Sequence, residues 1–242
     1  MPDKIGNHFC IYGLILIISS MAPAGTITAQ DSVYNRPPVT STWRDYKQQV
    51  LHDSTKKMVE LKSIIPAIVY DLRYASTNNF MNRLMYPAKT TSTFLRLPAA
   101  RALQKVQQEL NQKGLGLKIF DAYRPYSVTV KFWELVKDER YVANPSKGSG
   151  HNRGIAVDLT IIHLSTGKEL DMGTDFDNFS DTAHSTYTQL PEEVLQNRLL
   201  LRSAMEKNGF TVLSTEWWHF YLPEATTYEI LDIDFKKLKR SL

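Results

Sequence analysis

"GSGHNRGIAVDLTII", residues 148–162, holds the two features on which the rest of the chain is read. Its first half is a loop rich in small residues, with Gly148, Gly150 and Gly154 around His151. Its second half is an apolar run of β-branched residues, the pattern of a buried strand. Asp158 interrupts that run. A carboxylate inside an apolar strand is costly to bury unless it is paired or holds a metal. A turn at residues 152–154 lets His151 and Asp158 converge. A uniform strand does not, because residues seven apart point to opposite faces. The competing reading is a glycine-rich hairpin in which the Asp caps a turn.

A second stretch near the C-terminus, "STEWWHFYL" (214–222), supplies another carboxylate and another imidazole. Alone it reads equally well as an aromatic core strand. Joined to His151 and Asp158, His219 completes a set of two imidazoles and one carboxylate. Three protein ligands with an open fourth position are the pattern of a catalytic zinc site. Glu216, three residues before His219, suits a general base that is not itself a ligand. Residues three apart in a regular strand face opposite ways, so the chain must bend, bulge or end its strand between them. The helical His-Glu-x-x-His arrangement of many zinc peptidases is absent.

The remaining sequence is that of a globular α+β protein. The chain has 242 residues, of which 43% are hydrophobic and 22% charged, enough for one sizeable core. Its 29 basic and 25 acidic residues leave a net charge of +4. No basic stripe interleaved with aromatics accompanies that charge, so nucleic acid is not an expected partner. Short helices are expected from Trp43, over 97–117 and over 192–210, with a further helix after Arg124-Pro125 capped by Ser127. Strands are expected over 64–74, 118–123, 155–162 and 216–222. Helices and strands do not alternate strictly, which favours a small antiparallel sheet with helices packed on one face.

The N-terminus has the three-part plan of a secretory signal peptide over residues 1–29. Lys4 precedes the apolar run 10–21, and small residues follow. Cleavage after Ala24 or Ala29 is expected. The run falls short of the about 20 residues a membrane span requires, although an uncleaved anchor is the alternative. Residues 30–42, with paired prolines, read as a linker or extended arm, and residues 43–242 as the catalytic domain. Cys10 is the only cysteine, so the processed chain has no disulfide and no thiolate ligand. A secreted or periplasmic location follows, without stable membrane association.

The motifs Ser149-x-His151-x-x-Gly154-x-Ala156-x-Asp158 and Glu216-x-x-His219 resemble those of the zinc D-Ala-D-Ala dipeptidases of the VanX type. These belong to the wider zinc D,D-peptidases that share a fold with the Hedgehog signalling domain. "YDLRYASTNNF" (70–80), "DAYRP" (121–125) and "MGTDFDNF" (172–179) extend the resemblance from about residue 60 to about 225. It implies a Hedgehog/D,D-peptidase-like fold and one Zn²⁺ per chain held by His151, Asp158 and His219. It further implies Glu216 as catalytic base, Arg124 as stabiliser of the tetrahedral transition state, and Ser149 as a substrate-binding serine. Tyr123, in the same motif as Arg124, joins the substrate-binding set. The ammonium of a free dipeptide needs a carboxylate, and the acid-rich loop 171–181 offers Asp171. A small dipeptide from cell-wall metabolism is the implied substrate. Two alternatives remain: a peptidoglycan D,D-carboxypeptidase or endopeptidase of the same group, and an inactive metal-stabilised binding domain. His163 and His184 have no assigned role.

Overall fold

The computed structural model describes residues 35–223 and 227–240. The expected signal peptide lies outside the described residues. Among the described residues no helix is long and apolar enough to cross a membrane.

The centre of the molecule is a five-stranded sheet in the order β3 (Val69–Tyr70), β5 (Leu115–Asp121), β6 (Ala156–His163), β8 (His219–Tyr221), β7 (Thr211–Val212). All neighbours are antiparallel except the edge pair β3–β5, which is parallel. The α+β expectation therefore holds, with one parallel edge added. β6 is buried along nearly its whole length, as its apolar run requires. Val157, Leu159 and Ile161 join the main core with residues of α3 (Leu97–Asn111). Helix α3 turns Leu103, Val106 and Leu110 inward at helical spacing and packs on β5 and on α6 (Glu192–Lys207), which in turn contacts β7. Gly114, at φ +71°, reverses the chain from α3 into β5.

Several boundaries differ from those read in the sequence. Residues 64–74 do not form one strand. Only Val69–Tyr70 pairs, flanked by α2 (Leu61–Ile64) and a single 3-10 turn, Arg73–Ala75. Residues 39–40, expected in an extended arm, form β1 (Val39–Thr40), which pairs in parallel with β9 (Ile230–Leu231). Ser127 is not a helix cap. Helix α4 (Tyr126–Val136) starts after Pro125, and the Ser127 hydroxyl instead donates to Asp232 Oδ1 at 2.7 Å. Pro125 is the N-cap residue and has no side-chain acceptor, so Asp232 Oδ1 takes the first-turn N–H of Ser127 at 3.0 Å. Of "EWWHFYL", only His219–Tyr221 is in the ladder. Residues 213–218 form the loop of the β7–β8 hairpin.

Candidate active site

Three neighbouring strands contribute one row of side chains. Asp121 on β5 is opposite Asp158 on β6, and Asp158 is opposite His219 on β8. Directly opposed residues on antiparallel strands share a face. Asp121 reaches that row through a bulge. Ile119 pairs with Leu159, but the next pair is Asp121 with Asp158, so β5 spends one extra residue there. Without it Phe120 would face the row. A bulge that re-aims a side chain beside a site is a recurrent device.

His151 approaches the same row from above. It does not sit in a plain loop but on a one-turn helix, α5 (Gly150–Arg153). Ser149 and Asn152 form a reciprocal capping box: Ser149 Oγ accepts from Asn152 N, and Asn152 Oδ1 accepts from Ser149 N. Asn152 Nδ2 then donates to Arg124 O and Thr129 Oγ1, tying the turn to α4. The other end of the turn closes at Gly154, φ +72°. A Cβ there would also lie 2.7 Å from Met58. Arg96, fully buried, donates from Nε to Arg153 O and from its backbone N to Gly154 O, pinning that end.

The donors converge. The His151 Nδ1–H donates to Ala122 O at 2.7 Å, which leaves Nε2 with its lone pair toward the row. His151 Nε2 lies 3.3 Å from His219 Nδ1 and 3.4 Å from Asp158 Oδ2, and His219 Nδ1 lies 2.9 Å from Asp158 Oδ1. One ligand atom from each residue falls within 4.8 Å of the others. Two imidazole nitrogens and a carboxylate oxygen gathered this tightly, with a backbone carbonyl holding one ring from behind, are a donor set that fits a zinc ion. Burial opposes the charge on Asp158, but the two imidazoles outweigh it and hold its carboxyl below the usual range. Burial likewise opposes protonation of His219, and Asp158 overrides it, raising the imidazole.

Glu216 answers the question raised by its spacing. The backbone turns at Leu213–Glu216, where Glu216 N donates to Leu213 O, and the strand begins only at His219. Both side chains therefore reach one space, with Glu216 Oε2 3.8 Å from His219 Nδ1. Burial raises the Glu216 carboxyl above its ordinary value, and the charge on Asp158 adds to the rise. Trp217 and Trp218 between them are buried. Trp217 Nε1 donates to Thr174 Oγ1, and Trp218 packs its ring edge-on against Phe176.

Arg124 faces the same cavity, with Nε and Nη2 both donating to Asp121 Oδ2 at 3.0 and 2.8 Å. Asp121 is wholly buried. Its Oδ1 accepts from the Tyr86 hydroxyl and from Ala122 N, and Oδ2 lies 3.8 Å from His151 Nδ1. Burial works against the Arg124 charge, but Asp121 prevails and the guanidinium is held well above its usual range.

The cavity, of about 340 Å³, is lined by the three donors, Glu216, Arg124, Ser149 and Asp177, with Phe80, Tyr141 and Phe179 at its mouth. Two members of the expected substrate-binding set lie elsewhere. Asp171 is exposed, accepts from Gly173 N, and lines a separate cleft beside Arg73 and Trp217. Tyr123 is fully buried under Phe235, and its hydroxyl is engaged with the N–H and C=O of Ile233. From the acid-rich loop it is Asp177 that enters the cavity, at φ +60°, accepting from the Tyr74 hydroxyl at 3.0 Å. Burial, then the nearby Asp158 charge, raises its carboxyl well above the ordinary range. His163 ends β6 on the surface. His184 lines an adjoining cleft that shares Glu216 as a wall.

Residues 54–238 match the sequence profile of the peptidase family described as "D-ala-D-ala dipeptidase". The chain belongs to that family. A D-alanyl-D-alanine dipeptidase of Escherichia coli K12 is 36% identical over 181 residues, covering 75% of this chain and 92% of the relative. One from Enterococcus faecalis V583 is 30% identical over 189 residues, covering 69% and 94%. Among solved structures, that of the LdcB LD-carboxypeptidase is 21% identical, covers 59% of this chain and 66% of that one, and superposes with a TM-score of 0.37. Family membership makes the protein a hydrolytic metallopeptidase. The row of Asp121, Asp158 and His219, with His151 above it, is its candidate metal and reaction centre.

Proposed function

We propose that this protein is a zinc-dependent dipeptidase that hydrolyses D-alanyl-D-alanine or a closely related cell-wall dipeptide. One observation carries the proposal: the three converging donors share a cavity with an unligated carboxylate, Glu216, and an anchored cation, Arg124. The names of the two curated relatives supply the substrate. Bound by His151, Asp158 and His219, one zinc ion per chain supplies Lewis acidity toward the scissile carbonyl and brings the pKa of water to about 7.

The chain's own groups do the rest. Glu216 accepts the proton of the attacking water and later hands it to the leaving amine. Burial raises its carboxyl above the ordinary value, the direction that helps it hold a proton between the two transfers. Arg124 meets the negative charge that develops on the carbonyl oxygen. Asp121 fixes the plane of its guanidinium beforehand, so little reorganisation is needed during reaction. Asp177 receives the substrate ammonium, with Tyr74 holding the carboxylate in place. An incoming cation offsets the burial that disfavours its charge. Ser149 Oγ accepts from Asn152 N and still has its own proton to offer a substrate carboxylate. The plan of residues 1–29 supports export to the periplasm or beyond, with recycling or nutrition as the role that fits this location. N-terminal sequencing of the exported protein is expected to begin at residue 25 or 30.

The test is hydrolysis of D,D, L,D and L,L dipeptides beside a pentapeptide ending in D-Ala-D-Ala, with and without chelator. Chelator-sensitive turnover of the D,D dipeptide is expected. Turnover of the pentapeptide alone would make the protein a carboxypeptidase. Zinc binding with no turnover of any of them would make it a binding domain.

A further inference from the structure

On the side of the molecule formed by residues 87–92 and the start of α7 (Phe235–Lys239) lies a second cleft, of about 160 Å³. Three ammonium groups border it, those of Lys89, Lys236 and Lys239, against the single carboxylate of Asp234. Asp234 is already committed, since it accepts from Lys236 N at 2.7 Å. None of the three lysines enters an ion pair among the described residues. Ordinary surface lysines lie beside carboxylates often enough that three unpaired ones around a single concavity leave an uncompensated positive potential.

A hydroxyl on the same wall adds a donor. Ser92 lines the cleft and is only 6% exposed, yet its hydroxyl has no hydrogen-bond partner among the described residues. With no protein partner, that hydroxyl is free to donate to an acceptor in the cleft. Thr90, alongside, is satisfied by Pro87 O. The floor is aromatic: Phe235 packs on Tyr86 with ring centroids 5.0 Å apart, and on Tyr123.

From this arrangement we infer that the cleft is an anion-binding site for a phosphate group. Three compact ammonium charges and one hydroxyl suit the several oxygens of a tetrahedral anion. A planar carboxylate is better served by the two-pronged fork of an arginine, and no arginine lines this cleft. The phosphate belongs either to the free ion or to a phosphodiester polymer of the envelope. The site does not depend on the reaction assigned above.

Titration of the zinc-loaded full-length enzyme with inorganic phosphate at constant ionic strength tests the inference, with a glycerol-phosphate oligomer as the second ligand. Saturable binding is expected. The Lys236→Glu/Lys239→Glu protein is expected to bind phosphate about tenfold or more weakly, and Ser92→Ala about fivefold more weakly. Dipeptide turnover and circular dichroism are expected to be unchanged in both. Tighter binding of the oligomer assigns the polymer as the source, and equal or weaker binding assigns the free ion. The inference is overturned if the wild-type protein shows no saturable binding. It is also overturned if the double variant binds as the wild type does, in particular with phosphate competing against the dipeptide. That result would place the ion at the reaction centre.

Discussion

His151 and Asp158 in the wall of the reaction cavity, and Asp121 and Asn152 behind that wall, form a floor almost closed to solvent, whereas Tyr141 and Phe179 at the rim stay 37% and 38% exposed. The two regions are also made differently. Every floor residue sits in or next to a strand or a capped turn, and each has its polar atoms engaged by a named neighbour. The rim comes from loops, and its contacts are ring against ring: Tyr141 on Phe179, and Phe179 on Phe80. A reaction centre needs groups fixed to fractions of an ångström, which sheet registers and saturated hydrogen bonds provide. Admission of a substrate needs surfaces that can move, and loop aromatics provide those. Glu216 and Asp177 stand between the two, on loops but turned inward. They are the places to test where one region ends.

The largest effect is expected at Glu216. In the Glu216→Gln protein the carboxamide keeps the volume but cannot take a proton. With the metal site fully loaded, kcat/KM is expected to fall by about 10²–10⁴-fold. Zinc affinity, measured by competition with a chromogenic chelator, is expected to change little, because Glu216 is not among the converging donors. A variant that keeps full turnover would remove Glu216 from the chemistry.

Asp121 tests whether the floor acts as a unit. It touches the Arg124 guanidinium, the Tyr86 hydroxyl and, at 3.8 Å, the ring of His151. Asp121→Asn leaves a buried guanidinium without its counter-charge, which typically costs about 3–5 kcal/mol of stability. Supporting residues of this kind also typically change metal affinity or activity by about 10–100-fold. A lower denaturation midpoint together with weaker zinc binding is expected. Loss of one without the other would show that Arg124 and His151 are positioned separately.

How much of this was legible in the sequence follows the same division. His151, Asp158, Glu216 and His219 stood out because each breaks a local pattern, such as a charge in an apolar strand or an acid beside two tryptophans. The bulge at Phe120 left no such mark. Asp121 looked like the end of a strand, and its place opposite Asp158 depends on a register that only the paired strands define. Asn152 escaped notice too, although a Ser three residues before a polar amide is the spacing of a capping box. Among the four acids of the 171–181 loop, composition could not separate one from another. Asp177 enters the cavity because the backbone turns left-handed there and Tyr74 hydrogen-bonds its carboxylate. Its removal sharpens the boundary. Asp177→Asn is expected to raise KM for a free dipeptide by about tenfold or more, the usual worth of a hydrogen bond to a charged group. For a substrate with a blocked N-terminus the change is expected to be small.

The smallest effect is expected at Asp171, which composition alone made the equal of Asp177. Its Oδ1 accepts from Gly173 N at 2.7 Å within an exposed turn, and the cleft it lines holds no donor of the metal set. Asp171→Asn keeps an oxygen in place for that N–H. Stability is expected to stay within about 0.5 kcal/mol of the wild type, as for ordinary surface substitutions. Steady-state kinetics on the D,D dipeptide are expected to match the wild type in both kcat and KM. A raised KM with unchanged kcat would mean that the substrate ammonium is felt beyond Asp177, and the charged wall of the cavity would then extend along the loop past Phe176 to residue 171. Unchanged kinetics would confine it to the one acid that the left-handed turn points inward.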